Sequence, residues 1–164
     1  MKFYVKQKFF SAKNKFTIFN ENEEEAYKVE GKMFSFKNYL ELRRMDDSVI
    51  YSTQKKLLTF LPKYTVFDGA GREVAKIFKK FAFRPRFDVF KDGVKYEIEG
   101  SVFAHSFGIT DGEKTVAEIQ KKVFKLTDSY EIEIYAEEDK ELFLFIVIVI
   151  DQILHEGKSG GNNG

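Results

Sequence analysis

The sequence predicts a mainly β, antiparallel architecture wrapped around a buried C-terminal helix, and three observations carry the prediction. Residues 142–150 are nine apolar side chains in a row, from Leu142 to Ile150. A segment that is apolar all round has to be covered on every side, and this one falls well short of the roughly 20 residues that span a bilayer. Up to residue 135 the chain reads as a series of short runs rich in aromatic and β-branched residues, a composition that suits pleated, half-buried strands. Turn signals separate those runs, and a hairpin-like unit recurs along them.

Phe3-Tyr4-Val5, Phe16-Thr17-Ile18-Phe19, Tyr39-Leu40-Glu41-Leu42, Val49-Ile50-Tyr51 and Tyr64-Thr65-Val66-Phe67 form the early strands. Tyr130-Glu131-Ile132-Glu133-Ile134-Tyr135 alternates strictly, the pattern of an antiparallel strand with one buried face. Asp92-Gly93 separates Asp88-Val89-Phe90-Lys91 from Val94-Lys95-Tyr96-Glu97 and predicts a type I′ hairpin, because both residue types accept positive φ. Asp68-Gly69 and Asp111-Gly112 mark two more turns. An apolar–charged–apolar triplet repeats at Tyr27-Lys28-Val29, Ala75-Lys76-Ile77, Tyr96-Glu97-Ile98 and Ala117-Glu118-Ile119, the last three spaced 21 residues apart. Three of the four reach a Phe five residues later, at Phe34, Phe103 and Phe124, and the other has Ala82 there beside Phe81. Hairpins in series leave open edges unless the sheet closes or a second layer covers it.

The apolar run reads as a strand by its β-branched content and as a helix by its flanks. Asp139 suits an N-cap, acidic residues cluster ahead of the run, His155 falls in the last turn and Gly157 just beyond it; these are helix signals. Residues 139–155 also make a segment longer than an ordinary strand, so the helix is the favoured reading. Burying nine large apolar side chains contributes on the order of 13–27 kcal/mol before entropy costs, which makes this helix the organiser of the core.

The 164 residues fit one domain, expected over 1–156, with residues 157–164 a disordered Gly/Asn-rich tail. Nineteen Phe supply large core volume. The chain has no Cys, which removes disulfides, thiol nucleophiles, Cys-based zinc sites and S-palmitoylation and suits a cytoplasmic protein. The N-terminal residues carry no signal-peptide pattern. A net charge of +1 means that any role in binding polyanions rests on a local patch.

These features resemble the LURP-one-related family, part of the wider tubby C-terminal-like group that includes phospholipid scramblases. The matching residues are the hairpin repeats and the ending Asp128-Ser129-Tyr130-Glu131-Ile132-Glu133-Ile134, then Asp139, then the apolar segment closing in Ile150-Asp151-Gln152-Ile153-Leu154. The resemblance runs from about residue 2 to residue 155. It implies a closed antiparallel β-barrel of about twelve strands threaded by the C-terminal helix. It also implies a link to phosphoinositides or other lipids at a basic face. The palmitoylated Cys clusters and the Asp/Asn-rich calcium segment of scramblases have no counterpart here beyond Asp128, so no calcium site carries over.

The strongest functional candidate is the stretch from Phe78 to Phe87. Residues 72–91 hold seven basic side chains against two acidic ones, an excess of +5. Lys79, Lys80, Arg84 and Arg86 interleaved with Phe suit an anionic lipid surface or headgroup, where each cation contributes about 1 kcal/mol; nucleic acid is a weaker fit to the same chemistry. The bland reading is that the alternating Phe face the barrel interior and the Lys and Arg form its solvated wall. Lys2, Lys6, Lys8, Lys13 and Lys15 either extend a basic face or protect an edge against aggregation. Glu131, Glu133, Glu137, Glu138, Asp139 and Glu141 have the oxygen ligands of a cation site but not the spacing of an EF-hand. His105, next to Ser106, lacks an orienting third group, and no phosphate loop, dinucleotide fingerprint or nucleophile elbow is present. The sequence therefore predicts a non-enzymatic module without cofactor or metal, peripheral at a membrane and not integral to it. A protein-interaction scaffold is the alternative.

Overall fold

The computed structural model describes residues 1–6, 15–32, 39–56, 60–82, 86–101, 106–123 and 128–159. Twelve strands follow one another as β1 Lys2–Lys6, β2 Lys15–Phe19, β3 Glu25–Lys32, β4 Tyr39–Arg43, β5 Val49–Lys56, β6 Lys63–Asp68, β7 Glu73–Lys80, β8 Arg86–Lys91, β9 Val94–Ser101, β10 Ser106–Thr110, β11 Thr115–Val123 and β12 Asp128–Ile134. A 3-10 turn at Glu137–Asp139 leads into the helix α1, Lys140–Ser159. Each strand pairs antiparallel with its neighbours in sequence, and β1 pairs with β12 from Lys2↔Glu133 to Lys6↔Ser129, so the sheet closes into a barrel. Closure gives every strand two partners and leaves no open edge.

The helix fills this barrel. Every side chain from Leu142 to Ile150 is between 0 and 2% exposed, which is why the segment needs no polar face. The wall supplies one inward residue in two along each strand, among them Val5, Ile18, Val29, Leu42, Val66, Ile77 and Val89. Tyr51 stacks on Phe145 at 6.2 Å and Tyr96 meets Phe143 edge-on at 5.1 Å. Asp139 lies in the 3-10 turn ahead of α1, paired with Lys91 at 3.1 Å. The helix also runs past Gly157 to Ser159. Residues 160–164, the repeat positions Phe34, Phe103 and Phe124, and Lys8 and Lys13 lie outside the described residues.

The up-and-down order gives the barrel two unlike ends. At the end where α1 enters, the turns are short and three of them share one chemistry. Asn20, Asp68 and Asp111 each turn a side-chain oxygen back onto two backbone N–H groups, those of Asn22 and Glu24, Ala70 and Arg72, and Glu113 and Lys114. This is the Asx turn. The Asp92-Gly93 hairpin has φ of 49° and 80°, as its two-residue turn requires. Bulges before the turns of β2, β4, β6 and β10 fall in the same place on each strand.

Two substitutions test this packing. Ile148→Asp puts an unpaired charge on a 0% exposed position, a cost of several kcal/mol against a total stability of about 5–15 kcal/mol; it is expected to yield unfolded protein by circular dichroism. At Gly69 an added Cβ stands 2.5 Å from the Val49 carbonyl oxygen. Gly69→Ala is expected to lose about 1–3 kcal/mol in urea denaturation.

Candidate functional site

Strand order sorts the charges. In sequence, the turns at the entry end (20–24, 44–48, 69–72, 92–93, 111–114 and 135–139) contain eleven acidic and three basic residues and no Phe. The six segments that join strands at the opposite, exit end contain five basic residues, no acidic one, and nine of the nineteen Phe. The strand termini at the exit end repeat the bias: Lys6, Lys15, Lys32, Lys55, Lys56, Lys63, Lys79, Lys80 and Arg86 stand there, against Asp128. The +5 stretch is one sector of this basic end.

Within that sector, β7 and β8 place the predicted residues differently from one another. Ala75 and Ile77 are buried, which fixes the inward phase of β7. Lys79 therefore shares the inward register of Ile77 at the rim, paired across from the buried Phe87. Phe78 goes outward and meets Phe90 edge-on at 5.4 Å, with the Lys63 ammonium 5.1 Å from its ring. Phe81 is 86% exposed. The pattern of Phe inside and cations outside thus holds for Phe87 alone among the described Phe of the stretch. Lys80 pairs with Asp88 at 2.9 Å, and Lys95 lies 3.9 Å from the same oxygen. Arg86 stands opposite Lys80 on the outer face. Arg84 lies outside the described residues.

The two ends also differ in how their cations are satisfied. At the entry end Lys28 pairs with Asp47 at 2.8 Å, Arg72 with Asp68 at 2.7 Å, and Lys91 with Asp92 and Asp139 at 2.7 and 3.1 Å. The hydrogen bonds from Lys91 to Asp92 and Asp139 hold its ammonium well above the usual lysine range. Arg43 meets Glu41. At the exit end Lys55, Lys63, Lys79 and Arg86 make no ion pair among the described residues; Lys55 and Lys63 lie over the rings of Tyr64 and Phe78. Cations grouped without counter-charges repel one another and attract anions.

Several of the other candidates have partners within the fold. Glu131 and Glu133 bind Lys2 at 3.1 and 3.7 Å, while Glu141 accepts the Tyr27 hydroxyl proton at 3.0 Å. Burial and that carboxylate push the Tyr27 phenol well above its ordinary range. The described residues contain no group of three or more side chains arranged to hold a metal. An open depression of about 400 Å³ on the outer wall is spanned by the pairs Lys15–Glu30 and Lys28–Asp47. His105 lies outside the described residues, as does the His155 side chain. No helix among the described residues is long and apolar enough to cross a membrane. Sequence reading found one sector of the basic end and missed its extent, although the signal was there in the composition of every second connection.

The entry turns carry a pH dependence. Asp46, Asp47, Asp68 and Asp111 are held below the usual aspartate range, by the Ser48 hydroxyl, the Lys28 ammonium and the Arg72 and Lys114 backbone N–H groups respectively. A carboxylate with a depressed folded-state value stabilises the fold above its unfolded value, near 4, and loses that contribution as pH falls through the folded value. Thermal unfolding midpoints are expected to hold down to about pH 4 and then drop, with a shallower acid limb for Asp68→Ala.

Comparison with known proteins adds three findings. A family model described as LURP-one-related matches residues 1–151. The chain is 35% identical over 153 residues to the uncharacterized protein YxjI of Bacillus subtilis (strain 168), covering 93% of each chain. It superposes on the X-ray structure of a protein from Arabidopsis thaliana, AT5G01750, with a TM-score of 0.66 at 16% identity, covering 93% of this chain and 91% of that one; at that identity the likeness is one of fold.

Proposed function

The chain belongs to the LURP-one-related family, and we propose that it is a non-enzymatic module whose basic barrel end engages anionic lipid headgroups or a similar polyanion. The observation that supports this most directly is the unequal pairing of cations. Lys28, Arg72 and Lys91 at the entry end are matched by nearby carboxylates; at the exit end Lys15 and Lys80 are paired with Glu30 and Asp88, whereas Lys55, Lys63, Lys79 and Arg86 have no ionic partner among the described residues. A group of cations left open in this way along one sector of the rim is complementary to a surface that carries phosphate. The interior offers no rival site along 142–150, where the helix side chains are packed from all sides. On this reading the protein acts at the cytoplasmic face of a membrane and binds peripherally.

Each Lys or Arg at an anionic surface contributes about 1 kcal/mol, so reversing four of them weakens binding by on the order of a thousandfold. Co-sedimentation with phosphatidylcholine vesicles, with and without phosphatidylserine, reads this out. Wild type is expected to pellet with the anionic vesicles alone, less so at physiological salt than at low salt. The combined variant Lys79→Glu, Lys80→Glu, Arg84→Glu and Arg86→Glu is expected to stay in the supernatant. If wild type binds neither vesicle, the lipid reading fails, and a salt-resistant, stoichiometric protein partner becomes the alternative to pursue.

A further inference from the structure

Charge is half of what distinguishes the exit end; the other half is exposed aromatic surface. Phe60 is 95% exposed and Phe81 86%, while the remaining large exposed hydrophobics of the described residues lie between 37 and 47%. Single exposed apolar residues need no explanation, but two phenyl rings held out almost completely, and close to one another along the chain path, are unusual. The Lys79 N–H donates to the Pro62 carbonyl at 3.1 Å, tying the approach to β6 to the end of β7. Phe60 stands two residues before that bond and Phe81 two residues after it. At the same end stand Lys55, Lys63, Lys79 and Arg86, which have no ionic partners among the described residues.

We propose that Phe60 and Phe81 are membrane-inserting side chains, and that the barrel docks end-on, exit end down, onto an anionic bilayer. The inference rests on the proposed function and goes beyond it by naming the bilayer interior as part of the site and fixing an orientation. Cations draw the exit end to the headgroups, and the rings then leave water for the acyl boundary. The acidic entry end points away, where repulsion from anionic lipid costs least. A free headgroup would engage the cations and leave the rings in water, so the two sources of phosphate are separable.

The chain contains no Trp, so a single introduced indole reports one place. Phe60→Trp, Phe81→Trp and, at the entry end, Tyr135→Trp are mixed with vesicles of phosphatidylcholine and phosphatidylserine, with and without brominated acyl chains. The expected result is a blue shift and bromine quenching for the first two and neither for Tyr135→Trp. In parallel, the double variant Phe60→Ser and Phe81→Ser is expected to bind anionic vesicles about tenfold or more weakly while keeping wild-type affinity for a soluble inositol phosphate. Vesicle binding without any spectral change at Phe60→Trp or Phe81→Trp overturns insertion and leaves the electrostatic reading intact. Quenching at Tyr135→Trp overturns the orientation. Failure of wild type to sediment with anionic vesicles overturns both this inference and the function on which it rests.

Discussion

A helix with no polar stripe is the constraint on which the rest of this fold depends. Leu142 to Ile150 give α1 apolar side chains on every side, and a single flat sheet covers only one of those sides. A sheet that curls until its first strand meets its last covers them all, which is what β1 and β12 do. The exchange is mutual. A twelve-stranded barrel is too wide for its own inward side chains to fill, so the helix is as necessary to the wall as the wall is to the helix. The interior is thereby committed to stability, and any chemistry with a partner is displaced to the outside and the two ends.

The two ends owe their character to different causes. At the entry end the fold itself calls for short oxygen-bearing side chains, because Asn20, Asp68 and Asp111 close their turns through side-chain hydrogen bonds, and carboxylates ahead of α1 sit well at the positive end of its dipole. Nothing comparable asks for lysine at the exit end. The C-terminal end of a helix presents about half a negative charge, felt within its last turn; it does not account for nine basic residues at strand termini and five more in the joining segments. Acidity at one end is explained by local structure, and basicity at the other is the feature on which the proposed anionic partner rests.

Much of the architecture was legible because its signals are local. Asp92-Gly93 specifies its hairpin by the φ values that those residues tolerate, and the unbroken apolar run with acidic residues before it specifies a buried helix. The stretch 78–81 was less legible. Phe-Lys-Lys-Phe is compatible with either phase of a strand, and only the commitment of Ala75 and Ile77 to the core turns Phe78 outward and brings Lys79 to the inner rim. The charge asymmetry was hidden for another reason. Its strand-terminal members are spread from Lys6 to Arg86, and they share one end only once each odd connection is known to return there. In an up-and-down barrel, pooling alternate connections before summing their charges recovers that information from sequence.

Threading also dictates an order of events during biosynthesis. The partner of β1 is β12, and the core that every strand faces is α1, which follows β12 in the chain. Hairpins form as they emerge, but the inward faces of β1 to β11 have nothing to pack against until the last segment has been made. Sheets whose key contacts lie far apart in sequence fold slowly and expose apolar surface meanwhile. For most of its synthesis the chain therefore carries inward faces that have not yet met their core partner, and burial of those faces waits on the helix.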